Sequence, residues 1–167
     1  MRLLDTSIKI NSKDFIKNEI RFETIGDISA LPAYCQKSIN NLKESTSNFK
    51  KQTLILALNY GSHDEITRVI KGMVNDAINK KLTSDDISWE SIQKRLDTAK
   101  FPNPDLIIRT SGEMRLSNYL MLQAAYSELY FTDVNWPDFE EAHLYEAIKQ
   151  YSKRERRYGL TSEQIQK

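Results

Sequence analysis

Residues 53–58, TLILAL, run as an unbroken apolar stretch with no polar alternation. A strand with one wet face alternates, whereas one that reads apolar throughout is covered on both faces, and such strands are usually parallel and central. Asn59-Tyr60-Gly61 then turns the chain, and apolar residues recur at helical spacing: Ile66, Val69, Ile70, Met73, Val74, Ala77 and Ile78. Ser62 and Glu65 stand at the capping-box spacing for that helix. Parallel strands need a crossover between them, usually helical, so this pair of segments already points to an α/β fold.

The pattern repeats on both sides. Ile20, Phe22 and Thr24 alternate in a short strand ending at Gly26-Asp27. A helix follows with Pro32 in its first turn and Leu31, Cys35, Ile39 and Leu42 on one face. Residues 45–51 are polar and read as a loop, and Trp89, Ile92 and Leu96 mark another short helix. Leu106-Ile107-Ile108 is a second buried strand, followed by a loop over 111–118. The spacing then predicts a helix with Leu122, Ala125, Tyr126 and Leu129 inward, and a strand over 130–134. Trp136-Pro137-Asp138 opens a final helix, capped by Asp138, with Leu144, Ile148 and Tyr151 inward. Strands alternating with helices imply a mainly parallel β-sheet flanked by helices.

At 167 residues, 40% hydrophobic and 28% charged, the chain suits one domain, 1–167, with its own core. A net charge of +1 argues against a nucleic-acid partner, so work on anions falls to local arginines. Cys35 is the only cysteine, which excludes an internal disulfide and suits a reducing, cytoplasmic setting. Asp5, Lys9, Lys13, Asp14 and Lys17 interrupt the first twenty residues, unlike a signal peptide. No run is long and apolar enough to span a membrane.

The chemistry concentrates in residues 105–128, DLIIRTSGEMRLSNYLMLQAAYSE. Arg109 ends a strand, and open parallel sheets bind ligands outside the carboxyl ends of their strands. Gly112, Arg115, Ser117 and Asn118 follow, just before the predicted helix. A helix start suits anions, and guanidinium forks add charge-assisted bonds to phosphate oxygens. The plainer alternative makes Arg109 and Arg115 surface charges paired with Glu113, and Ser117 an N-cap. Clustering in a strand–loop–helix frame favours a diphosphate cradle. Tyr119, Leu120, Tyr126, Phe131 and Trp136 could form an apolar cofactor box, but most of them read as plain core, and Lys153, Arg154, Arg156 and Arg157 read as a solvated helix end.

RTSGEMRLSNYL at 109–120 resembles the isopentenyl diphosphate-binding signature of the cis-prenyltransferases, the undecaprenyl diphosphate synthase and isoprenyl transferase family. AYSELYF at 125–131, WPDF at 136–139, LALNYGSHDEI at 56–66, IGD at 25–27 and RERRYG at 154–159 continue the likeness. It implies an undecaprenyl diphosphate synthase-like fold around an apolar tunnel. It also implies condensation of isopentenyl diphosphate with an allylic diphosphate such as farnesyl diphosphate, giving cis-polyprenyl diphosphates such as undecaprenyl diphosphate, with Mg2+. By position, Arg109, Arg115, Leu116 and Ser117 look like substrate-binding residues and Glu128 like the magnesium-linked carboxylate. Arg157 and Gly159 match an element that reaches an active site across a homodimer interface. Peripheral membrane association through the lipid product is a further expectation.

The sequence departs from the family in one large respect. The opening MDGNxRWA loop, which carries the principal magnesium ligand and the allylic site, has no match here, nor does the FSxENW segment that follows it. The chain is therefore expected to correspond to the C-terminal two-thirds of a catalytic domain, incomplete at the N-terminus and inactive alone, with its catalytic residues in that missing segment. Gly61-Ser62-His63 replaces a frequent Gly-Gly-Arg, and Met114 stands where some members have histidine. The alternative is a non-catalytic supporting subunit of a heteromeric enzyme; the retained Arg109, Arg115, Ser117 and Glu128 argue against it.

Overall fold

The computed structural model describes residues 1–155. They form two compact units, residues 1–100 and the part of the chain from residue 101 onward.

In the first unit, α1 (Arg2–Lys17) leads into β1 (Ile20–Ile25), α2 (Ala33–Thr46), β2 (Gln52–Ala57), α3 (Ser62–Ile78) and α4 (Trp89–Gln93). β1 and β2 pair in parallel, from Ile20 opposite Gln52 to Ile25 opposite Ala57. The core gathers Ile8 of α1, Phe22 of β1, and Leu31, Cys35, Ile39 and Leu42 of α2 and its entry. These are the face read from the sequence for α2. Phe22 meets Phe15 edge to face at 5.6 Å, and burying a side chain of that size contributes about 1.5–3 kcal/mol. Thr46 closes the packing: its Oγ1 accepts from the Phe22 amide and donates to the Leu42 carbonyl.

Two local expectations in this unit change. β2 is parallel, as read, but among the described residues it pairs only with β1, and Leu54 is 43% exposed. Its unbroken apolar character is therefore not matched by cover on both faces here. The Ser62–Glu65 capping box does not form, because Gly61 is the N-cap. Glu65 is drawn into a different network. Its carboxylate accepts from the Tyr60 hydroxyl and the Asp97 amide, both at 2.8 Å. Asp97 in turn accepts from Arg68 and from the Gly26 amide. Gly26, in the IGD sequence, needs its positive φ of 98°, and a Cβ there would sit 2.2 Å from the Leu58 carbonyl oxygen.

In the second unit, β3 (Leu106–Arg109) and β4 (Glu128–Phe131) pair in parallel, with Leu106 opposite Glu128 and Arg109 opposite Phe131. α5 (Glu141–Ser152) follows a short 3-10 turn at Trp136–Asp138. α5 begins later than read, and Glu140 with His143 forms its capping box in place of Asp138. Ala147 is its buried residue, while Leu144 and Ile148 are exposed. The helix expected after residue 118 is absent. Ser117, Asn118 and Leu120 all have positive φ, which a right-handed helix does not admit, and residues 121–126 form successive turns. The strand expected over 130–134 begins two residues earlier, at Glu128.

Candidate functional site

The loop after β3 is tied down by the segment that leaves β4. The Ser111 amide donates to the Val134 carbonyl and the Gly112 amide to the Thr132 carbonyl, each at 2.9 Å. Thr132 donates back to the Arg109 carbonyl at 3.0 Å, carrying the parallel ladder one step beyond the strand. Gly112 stands at φ 68°, and a Cβ on it would come within 3.1 Å of the Asp133 carboxylate. Arg109 thus stands at a strand end whose backbone is tied to the segment leaving β4.

A cleft of about 440 Å3 opens at that strand end. Arg109 and Arg115 line it together with Thr110, Ser111 and the apolar Ile107, Ile108, Leu116, Tyr119 and Trp136. One part of the lining is cationic and hydroxylic and another is aliphatic and aromatic. The two arginines differ. Arg115 forms an ion pair with Glu113 and is largely exposed. Arg109 has no ion pair among the described residues. The plainer sequence reading therefore holds for Arg115 but not for Arg109. Burial raises the pKa of the Tyr119 phenol.

The structure brings Arg109, Arg115 and Leu116 to one cleft; Ser117 is next in the chain but does not line it. Without a helix after residue 118, the cleft lacks a helix-dipole contribution and relies on its guanidinium groups. Glu128 lies elsewhere, at the start of β4, while Arg109 ends β3. Three residues of strand separate the two levels, roughly 10 Å. The Glu128 carboxylate accepts from Arg154 at 2.8 Å. Among the described residues no three acidic, histidine or cysteine side chains converge as a metal site. The donor set therefore does not by itself fit magnesium in this arrangement. Arg157 and Gly159 lie outside the described residues.

Sequence reasoning underrated Trp136. Read as core, it is 74% exposed, lines the cleft and stacks on Phe139 at 6.1 Å. Tyr126, also read as core, is exposed as well. The Trp-Pro pair that breaks the chain before α5 was the available signal, since an aromatic held in a tight turn has few neighbours to bury it.

A family profile described as putative undecaprenyl diphosphate synthase matches residues 1–159. The chain belongs to that family. It is 48% identical over 159 residues to an isoprenyl transferase of Treponema denticola, covering 95% of this chain and 67% of that protein. It is 44% identical to a tritrans,polycis-undecaprenyl-diphosphate synthase (geranylgeranyl-diphosphate specific) of Thermoplasma acidophilum, covering 94% of this chain and 62% of that protein. Among solved structures, the lavandulyl diphosphate synthase of Lavandula x intermedia in complex with dimethylallyl diphosphate matches with a TM-score of 0.91 at 35% identity. That match covers 95% of this chain and 69% of the other. A probable undecaprenyl diphosphate synthase from Campylobacter jejuni matches with a TM-score of 0.80 at 33% identity, covering 95% and 72%. The α/β fold with parallel strands is thus that of the cis-prenyltransferases. The chain spans 62–67% of the length of these two curated relatives.

Proposed function

We propose that this chain holds isopentenyl diphosphate for condensation with an allylic diphosphate such as farnesyl diphosphate, giving cis-polyprenyl diphosphates such as undecaprenyl diphosphate. The observation that carries this reading is Arg109. It is a guanidinium without a carboxylate partner among the described residues, at the carboxyl end of a parallel strand, facing a cleft with apolar walls. Isopentenyl diphosphate has a multiply charged anionic head and a five-carbon apolar group, and the cleft offers surfaces for both.

In the condensation the allylic carbon–oxygen bond breaks and diphosphate leaves with the electron pair. A carbon–carbon bond forms to the terminal alkene carbon of isopentenyl diphosphate, and a proton is lost from the adjacent methylene. This chain's part is to bind and orient the incoming molecule, which is where positioning lowers the barrier. Arg109, with Arg115 when it leaves Glu113, takes the diphosphate, and Ser117 is its neighbouring hydroxyl. Leu116, Tyr119 and Trp136 keep water from the five-carbon group. Neither the allylic diphosphate nor the proton removal is assigned to a residue of this chain. Magnesium belongs to the proposal as the ion that would neutralise diphosphate charge; among the described residues Glu128, paired with Arg154 and three residues of strand away from the level of Arg109, would not share it with a diphosphate held at Arg109.

Calorimetry with isopentenyl diphosphate and inorganic diphosphate tests the reading. Both should bind, isopentenyl diphosphate about ten-fold tighter because part of its apolar group leaves water. Binding of neither would end the assignment.

The proposal extends to a homodimer, a cytoplasmic setting and peripheral contact with the membrane through the product. Among the described residues no helix is long and apolar enough to cross a membrane. Deleting residues 154–167 from an active protein in which a relative's N-terminal segment is fused ahead of Met1 should lower turnover without unfolding it. Full activity of the deletion, or an active monomer by light scattering, would count against the dimer.

A further inference from the structure

Trp136 lines the cleft and yet is 74% exposed, so little around it buries the indole. The turn that carries it supplies a different restraint. Trp136 opens the 3-10 turn and Phe139 closes it, the Phe139 amide donating to the Trp136 carbonyl at 3.2 Å. Side chains three residues apart in such a turn eclipse one another. The two rings accordingly lie almost parallel, 8° apart in plane with centroids at 6.1 Å. Pro137 between them narrows the backbone choices of Trp136. On its other side Phe139 meets the imidazole of His143, with ring centroids 5.7 Å apart. His143 is the third residue of α5, and its Nδ1 accepts from the Glu140 amide at 3.0 Å. Three rings therefore run in series from the cleft wall to the start of a helix, and of the three only Trp136 lines the cleft.

We infer that Phe139 and His143 are positioning residues that hold the Trp136 indole in place as the specificity-determining wall for the five-carbon group. This rests on the reading of the cleft as an isopentenyl diphosphate site. An exposed indole free to change rotamer must be ordered when a ligand arrives, and that ordering subtracts from affinity. A ring stacked beforehand at a fixed angle avoids the loss. The benefit goes only to ligands that touch the indole. The diphosphate head, held at Arg109, gains nothing from it. The stack thus sets how strongly the cleft prefers an isoprenoid diphosphate over diphosphate alone, through two side chains that do not line the cleft.

Calorimetric titration of the 167-residue chain with isopentenyl diphosphate and, separately, with inorganic diphosphate tests the inference. Phe139→Leu should weaken isopentenyl diphosphate about two- to ten-fold and leave inorganic diphosphate unchanged. Phe139→Tyr, which keeps the ring, should restore the affinity. Trp136→Ala should lose at least as much as Phe139→Leu, and the double variant no more than Trp136→Ala, because Phe139 acts through Trp136. His143→Glu keeps a capping acceptor at that position but removes the third ring, and should give a smaller loss of the same kind. In a Trp89→Phe background, where Trp136 is the single tryptophan, Phe139→Leu should lower the fluorescence anisotropy of the indole without ligand. Equal losses for both ligands in Phe139→Leu would make its role structural and overturn the inference while leaving the cleft assignment intact. Additive losses in the double variant would also overturn it. If the unaltered chain binds neither ligand, the cleft assignment and the inference fall together.

Discussion

Given farnesyl diphosphate, radiolabelled isopentenyl diphosphate and Mg2+, the 167-residue chain alone should incorporate no label above background. A fusion carrying a relative's MDGNxRWA-to-FSxENW segment ahead of Met1 should elongate. Condensation needs two diphosphates held at once, with the alkene of one beside the first carbon of the other. The cleft beside Arg109 is assigned to the incoming molecule, and no residue of this chain is assigned to the allylic one. Near-attack positioning supplies about 7–11 kcal/mol of such barriers. Losing most of it moves turnover below detection, since each 1.36 kcal/mol is about ten-fold in rate. Clear elongation by the chain alone would show that the allylic site has been misplaced. An inactive fusion that folds would favour a supporting subunit.

Arg109→Ala should weaken isopentenyl diphosphate binding far more than Arg115→Ala. A hydrogen bond to a charged group contributes about 1.5–3 kcal/mol, so losing Arg109 costs roughly ten- to 150-fold in affinity. Arg115 starts from an ion pair with Glu113 and is 66% exposed, so ligand binding must first release it. Its loss should cost about 1 kcal/mol or less. Calorimetric titration of both variants checks the order. Equal losses would mean that the Glu113 pair does not persist in solution, and no loss from Arg109→Ala would remove the cleft from the account.

In the first unit β1, β2, α2, α3 and α4 were legible because they rest on local periodicity, whereas α1 (Arg2–Lys17), interrupted by charged residues, was not read. The α2 face of Cys35, Ile39 and Leu42 was read residue by residue and is buried as read. Arg109 was legible for the same reason, since a strand end needs only a strand. What failed depended on partners distant in sequence or on backbone conformation. The apolar run of β2 cannot say what covers it, and Leu54 stays exposed beside a single neighbouring strand. Ile70, Val74 and Ile78 keep helical spacing on α3 yet face outward. Residues 119–126 have helical composition, but positive φ at Ser117, Asn118 and Leu120 redirects the chain into turns. The Glu65 carboxylate left its expected cap because Asp97, 32 residues away, offers an amide.

Glu128 shows the same limit within the site. Motif order sets it 19 residues after Arg109, and nothing in that spacing says at which end of the strand pair it falls. The parallel register decides: Leu106 stands opposite Glu128 and Arg109 opposite Phe131, so carboxylate and guanidinium lie at different levels of the pair. Its partner, Arg154, comes from a basic run that reads as solvated.

The account turns on where the diphosphate of isopentenyl diphosphate lies, and a crystal of the chain soaked with that compound reads it directly. The account predicts diphosphate oxygens within hydrogen-bond distance of the Arg109 guanidinium, with the five-carbon group against Leu116, Tyr119 and Trp136. Diphosphate density elsewhere on the chain, with the Arg109 side chain left in solvent, would contradict it.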